Sequence, residues 1–129
     1  MKLFALFFAA LSAYTVSATA PADWGKGTCA RLHPNVQKAI EKFCNYGYNP
    51  KTPILTGENA AQNGQRYGNA WVHIGHTCWG RHEYIPWDIC FKQFYDMCIS
   101  GNNRGENARN YGGWTDGVGC QKWIINNPA

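Results

Sequence analysis

Cys90 and Cys98 sit eight residues apart in "IPWDICFKQFYDMCIS" (85–100), a stretch whose apolar residues recur at helical spacing. Trp87, Cys90, Phe91, Phe94, Met97 and Cys98 form one continuous stripe. Pro86 stands near the start, and Gly101 is placed to stop the helix. On a helix, eight residues span about 12 Å, and a disulfide needs Cα atoms within roughly 7 Å. The two cysteines therefore cannot join each other. With Cys29, Cys44, Cys78 and Cys120 the chain has six, so three bridges are expected. The fifteen possible connectivities fall to twelve. Each cysteine of this helix must tie it to a different part of the fold.

An even cysteine count in a short chain belongs to an oxidising compartment, and the N-terminus agrees. "MKLFALFFAALSAYTVSATA" has one lysine, an apolar run from Leu3 to Leu11, then small residues, the pattern of a secretory signal peptide. Cleavage is expected after Ala18, with Ala20 the less comfortable choice because Pro21 follows it. Residues 19–129 then form one exported domain. No other segment is long enough to span a membrane, so no membrane insertion is expected. Without Lys2 the chain has eleven basic and eight acidic residues, a net charge of +3. No Lys/Arg block demands nucleic acid. There is no Asn-x-Ser/Thr sequon.

The remaining segments complete an α+β pattern. "HPNVQKAIEKFC" (33–44) puts Val36, Ile40 and Phe43 at i, i+4 and i+7, with Pro34 suited to a first helical turn. "AWVHIGHTCW" (70–79) alternates as a strand, and "GCQKWIIN" (119–126) reads as a closing one. Residues 45–69 carry Pro50, Pro53 and repeated glycines. They read as loop, with a short strand at 53–56. The expected fold is two main helices on a small antiparallel sheet, the central helix stapled twice to that sheet.

Three constellations compete for function. "HIGHTCWGRHE" (73–83) clusters His73, His76, His82 and Glu83 beside Cys78, which suggests zinc. His73 and His76 would point to opposite faces of a strand, and Cys78 is needed for a disulfide, so no metal is expected. His73, His82, Glu83, Arg81 and Arg104 could serve a small secreted ribonuclease-like hydrolase. They form no spaced signature, and no catalytic residue or cofactor is assigned. A calcium loop at 101–116 fails for want of carboxylates, since Glu106 and Asp116 are the only two.

The third is aromatic. Six tryptophans and six mature tyrosines serve this small chain, several beside glycine, among them Trp24-Gly25, Tyr67-Gly68, Tyr111-Gly112 and Gly113-Trp114. Rings in Gly/Asn loops are more often partly exposed, where they can stack on a pyranose while amides and charges bond its hydroxyls. The alternative is that Tyr111 and Trp114 fold back as lids over a small core. "GNNRGENARNYGGWTDGVGC" (101–120) offers Tyr111 and Trp114 for stacking, with Asn103, Arg104, Asn107 and Asp116 for hydrogen bonds. It reads as a tethered surface loop. "GENAAQNG" (57–64) echoes its "GENARNYG" (105–112) as a second loop of similar chemistry.

Together the leader, "CARLHPNVQKAIEKFC", "PWDICFKQFYDMC" and the Gly/Asn stretch ending in "GCQKWIIN" resemble the small, cysteine-rich, glycan-binding proteins secreted by mushrooms and other fungi. The resemblance implies an αβα-layered α+β fold and lectin-like binding of N-glycan-type oligosaccharides. Glycans or glycoproteins are the expected partners, in a defensive or cytotoxic role. A protein-targeting toxin or effector is the remaining alternative.

Overall fold

The computed structural model describes residues 23–45, 54–55, 59–75, 84–111 and 121–129. Among these residues, four helices and two antiparallel sheets form an α+β fold. The helices are α1 (Lys26–Leu32), α2 (Pro34–Cys44), α3 (Asn59–Asn63) and α4 (Trp87–Ser100). The strands are β1 (Ile54–Leu55), β2 (Gln65–Tyr67), β3 (Ala70–Ile74), β4 (Tyr84–Ile85), β5 (Asn107–Tyr111) and β6 (Gln121–Asn126). β1 pairs with β4 in a small ribbon, and the main sheet runs β2-β3-β6-β5.

The main sheet has one apolar face because β3 and β6 alternate. Val72 lies opposite Ile125 and Ile74 opposite Trp123, and all four are buried. The two main helices pack on this face. α2 contributes Val36, Ile40 and Phe43, the spacing expected from the sequence, and α4 contributes Phe94 and Met97. Phe94 bridges the layers, with its ring 5.4 Å from Phe43 edge-on and 4.6 Å from Trp123. Each such side chain, fully buried, contributes about 1.5–3 kcal/mol of apolar transfer.

α4 is stapled twice, but to helices rather than to the sheet. Cys98 bonds Cys29 of α1, and Cys90 bonds Cys44 at the end of α2. Both pairs have Cα atoms 5.8 Å apart. Cys78 and Cys120 lie outside the described residues. No described helix is long and apolar enough to cross a membrane.

Several segments depart from expectation, among them α3 and β2, which form within the 45–69 stretch read as loop. α1 forms although its sequence carries Gly25 and Gly27 and no apolar period. Asp23 starts it, its carboxylate accepting the N–H groups of Gly25 at 2.9 Å and Gly27 at 3.2 Å. Residues 101–120 are not loop throughout, since β5 occupies Asn107–Tyr111 and pairs with β6. The internal echo also dissolves, because "NAAQN" is helix α3 and "NARNY" is strand β5. Gly101 does end α4, with extended backbone rather than a left-handed cap. A Cβ there would lie 2.5 Å from the carbonyl oxygen of Glu106.

Candidate functional site

The first half of the Gly/Asn stretch is closed on itself. Asn102 Oδ1 accepts the backbone N–H of Arg104 and of Glu106, both at 2.9 Å. The Glu106 carboxylate receives Arg104 Nη2 at 2.7 Å, Asn102 Nδ2 at 3.1 Å and the Asn127 backbone N–H at 3.0 Å. These donors, the Asn127 bond first, hold its carboxyl down at about 2. Gly105, with φ of 76°, lies so close to His33 that a Cβ would sit 2.8 Å from the ring. Asn107 donates to the carbonyl of Met97 at 3.0 Å, and Tyr111 leans edge-on against Trp123 at 5.1 Å. Of the nominated ligand-binding residues, Arg104, Asn107 and Tyr111 thus have partners inside the fold. Asn103 is exposed. Trp114 and Asp116 lie outside the described residues.

His73 is nearly buried, at 9% exposure, on the sheet face turned away from α2 and α4. Its ring stacks on Trp71 at 3.9 Å, and the Arg66 guanidinium covers that indole at 4.1 Å. Burial first, then the Arg66 charge, pushes its pKa below 6.5. Its proposed neighbours His76, Cys78, Arg81, His82 and Glu83 lie outside the described residues. Among the described residues no three His, Cys, Asp or Glu side chains converge as metal ligands.

A different cluster builds a concave site over the first half of α4. Trp87, Phe91 and Tyr95 recur every four residues and present one aromatic stripe. Phe91 and Tyr95 are buried and form the floor. Trp87 is half-buried, and its Nε1 donates to Asn45 Oδ1 at 2.9 Å. Trp24 arrives from the turn that Asp23 holds, completing the wall. Its ring lies 5.8 Å from Trp87 edge-on, and 5.9 Å from Phe91 with only 14° between planes. To reach this place Trp24 takes φ of 54°, a left-handed conformation that costs a bulky residue about 1 kcal/mol or more.

These rings enclose a hollow of about 330 Å³, together with Asp23, Lys26, Glu41 and Asn45. That volume stands at the lower end of the roughly 300–1,000 Å³ range of small-molecule sites. Glu41 and Asn45 lie four residues apart at the end of α2, so they share its outer face. Glu41 Oε2 accepts from Gln37 Nε2 at 2.9 Å and lies 3.8 Å from Lys26 Nζ. Because Trp87 occupies Asn45 Oδ1, the amide's Nδ2 end has no partner among the described residues. Burial raises the Tyr95 phenol to about 12, so it stays protonated at neutral pH. The hollow therefore combines flat apolar walls with an acceptor, an amide donor and an ammonium group.

Little in the sequence separates Trp87 and Phe91 from core residues, since helical spacing is the same for a floor as for a core. The one available signal was Trp24-Gly25, an aromatic–glycine pair following an acidic residue. No family model, curated protein or solved structure matches this chain.

Proposed function

We propose that the chain is a secreted, lectin-like protein that binds oligosaccharides of glycoproteins without covalent chemistry, and that the Trp24–Trp87 hollow is its site. The observation that carries this reading is two half-exposed indoles over a buried aromatic floor, with Glu41 and Asn45 at the rim. Indole faces suit the apolar face of a pyranose. A carboxylate acceptor four residues from an amide donor suits a pair of neighbouring sugar hydroxyls. Neither group requires movement, because Trp87 holds the amide and Gln37 holds the carboxylate. Export is supported by the leader and by the two bridges of α4. The resemblance to secreted fungal glycan-binding proteins points the same way and suggests a role in defence or cytotoxicity.

The test compares two variants on one glycan array. Trp24→Ala should weaken binding by about 30-fold or more, as loss of a tryptophan anchor does, with near-UV circular dichroism showing an intact fold. Trp114→Ala should bind as the parent does. Loss in Trp114→Ala alone would return the site to the Gly/Asn stretch. A blank array for the parent would refute carbohydrate binding.

A further inference from the structure

The outer face of α2 carries more than the rim of one hollow. Lys38, Glu41, Lys42 and Asn45 fall at i, i+3, i+4 and i+7, opposite the buried Val36, Ile40 and Phe43. On the far side of this stripe lies a second hollow of about 360 Å³, lined by Lys38, Glu41, Lys42, Asn45 and Tyr67. It shares Glu41 and Asn45 with the first, so the two hollows meet across one helical ridge.

The two differ in charge. The first holds Asp23 and Glu41 against Lys26, and the Glu41 carboxylate is engaged there by Lys26 and Gln37. The second holds Lys38 and Lys42, with Glu41 its one acidic lining residue. Lys42 is placed rather than free, because its Nζ donates to the carbonyl of Arg66 at 2.8 Å, beside Tyr67. Two N–H donors of that ammonium remain. Tyr67 is 42% exposed and supplies a ring face beside the two lysines.

We propose that the second hollow binds an anionic sugar unit, bearing a carboxylate or a sulfate ester, joined to a neutral unit in the first. This rests on the carbohydrate reading above and specifies its ligand class, an acidic oligosaccharide. Glu41 and Asn45 bond the hydroxyls at the junction. The ligand lies in one direction only, because its charged unit is excluded from the Asp23 side and attracted to the lysine side. Lys38 and Lys42 form charge-assisted hydrogen bonds to the acidic group, and Tyr67 stacks on its ring.

The experiment uses matched glycans on one core, the neutral N-acetyllactosamine, its sialylated form and its sulfated form, within a wider array of such sets. The acidic members of the bound sets should bind about tenfold more tightly than their neutral parents in dilute salt, and the preference should shrink in 0.5 M sodium chloride. Lys38→Glu and Lys42→Ala should each reduce that preference while leaving neutral binding within twofold. Lys38 is exposed and makes no bond to the described residues, so its variant keeps the test valid if Lys42→Ala alters the fold. Comparing sialylated with sulfated members tells which acidic group is taken. Equal binding of acidic and neutral members would overturn this inference and leave the carbohydrate reading standing. A preference untouched by both lysine variants would also overturn it. No binding across the array would remove both.

Discussion

Trp24 reaches its place only because the next residue is glycine. Gly25 has φ of 91°, and a Cβ there would stand 2.6 Å from Ile99 Cδ1 and 3.6 Å from Tyr95 Cβ. The left-handed backbone is what disfavours a side chain here, since the exposed end of Ile99 can move aside. Gly25→Ala should therefore lower stability by about 1–3 kcal/mol and, by shifting Trp24, weaken glycan binding as well. Urea melts and binding isotherms of the variant check both parts. An unchanged midpoint would show that this turn is not under the constraint described.

Among the described residues, Glu106 and His73 tie stability to acid. The Glu106 carboxyl is held at about 2 against an ordinary 4.5. Because the folded value is the lower one, the unfolded chain binds the proton first, and stability falls as pH drops through 4.5 toward 2. Glu106→Gln should remove that step and loosen the 101–106 loop, at a cost on the order of 1 kcal/mol near neutral pH. His73 gives an earlier step. Its folded value lies below 6.5, so its share of stability is complete above 6.5 and declines as pH falls from there. Thermal melts between pH 7 and 3 should show both windows, and His73→Phe should abolish only the upper one.

At the scale of elements, α2, α4, β3 and β6 were legible because each writes its period in its own apolar residues. Val36, Ile40 and Phe43 specify a helix without help, and the alternation of Val72 and Ile74 specifies a strand. α1 and β5 were not legible, because partners impose them. α1 depends on the Asp23 carboxylate and the Cys29–Cys98 bridge. β5 is built of Asn, Ala and Arg at a sheet edge, and its pairing comes from β6. The echo between "GENAAQNG" and "GENARNYG" shows the same dependence, with one segment helical and the other extended. The site was harder still, since its floor residues follow the helical spacing of a core stripe and its wall, Trp24, comes from the turn before α1. The bridge between Cys44 and Cys90 fastens this junction, adjoining the Asn45–Trp87 bond. Removing it in a Cys44→Ala/Cys90→Ala variant should cost about 4 kcal/mol by chain entropy and loosen the rim, read as a lower melting temperature and weaker binding. Weaker stability with unchanged affinity would show the rim to be independent of the bridge.

For the whole molecule, three helices joined by two bridges set one aromatic hollow and one basic hollow on either side of α2. The six-cysteine count leaves Cys78 and Cys120 for each other, and peptide mapping of the unreduced protein should find that third bridge. Free thiols at both positions would contradict the count. Both hollows are open on one side and sized for single sugar units, so affinity for a monosaccharide should be weak and rise with chain length or multivalency. The central claim is that glycans stack on Trp24 and Trp87, and tryptophan fluorescence reports it directly. Titration of the intact protein with a glycan selected on the array should shift the emission, and the shift should vanish in Trp24→Ala while the folded spectrum persists. Saturable binding of that glycan, with the full fluorescence shift retained in Trp24→Ala, would contradict the account.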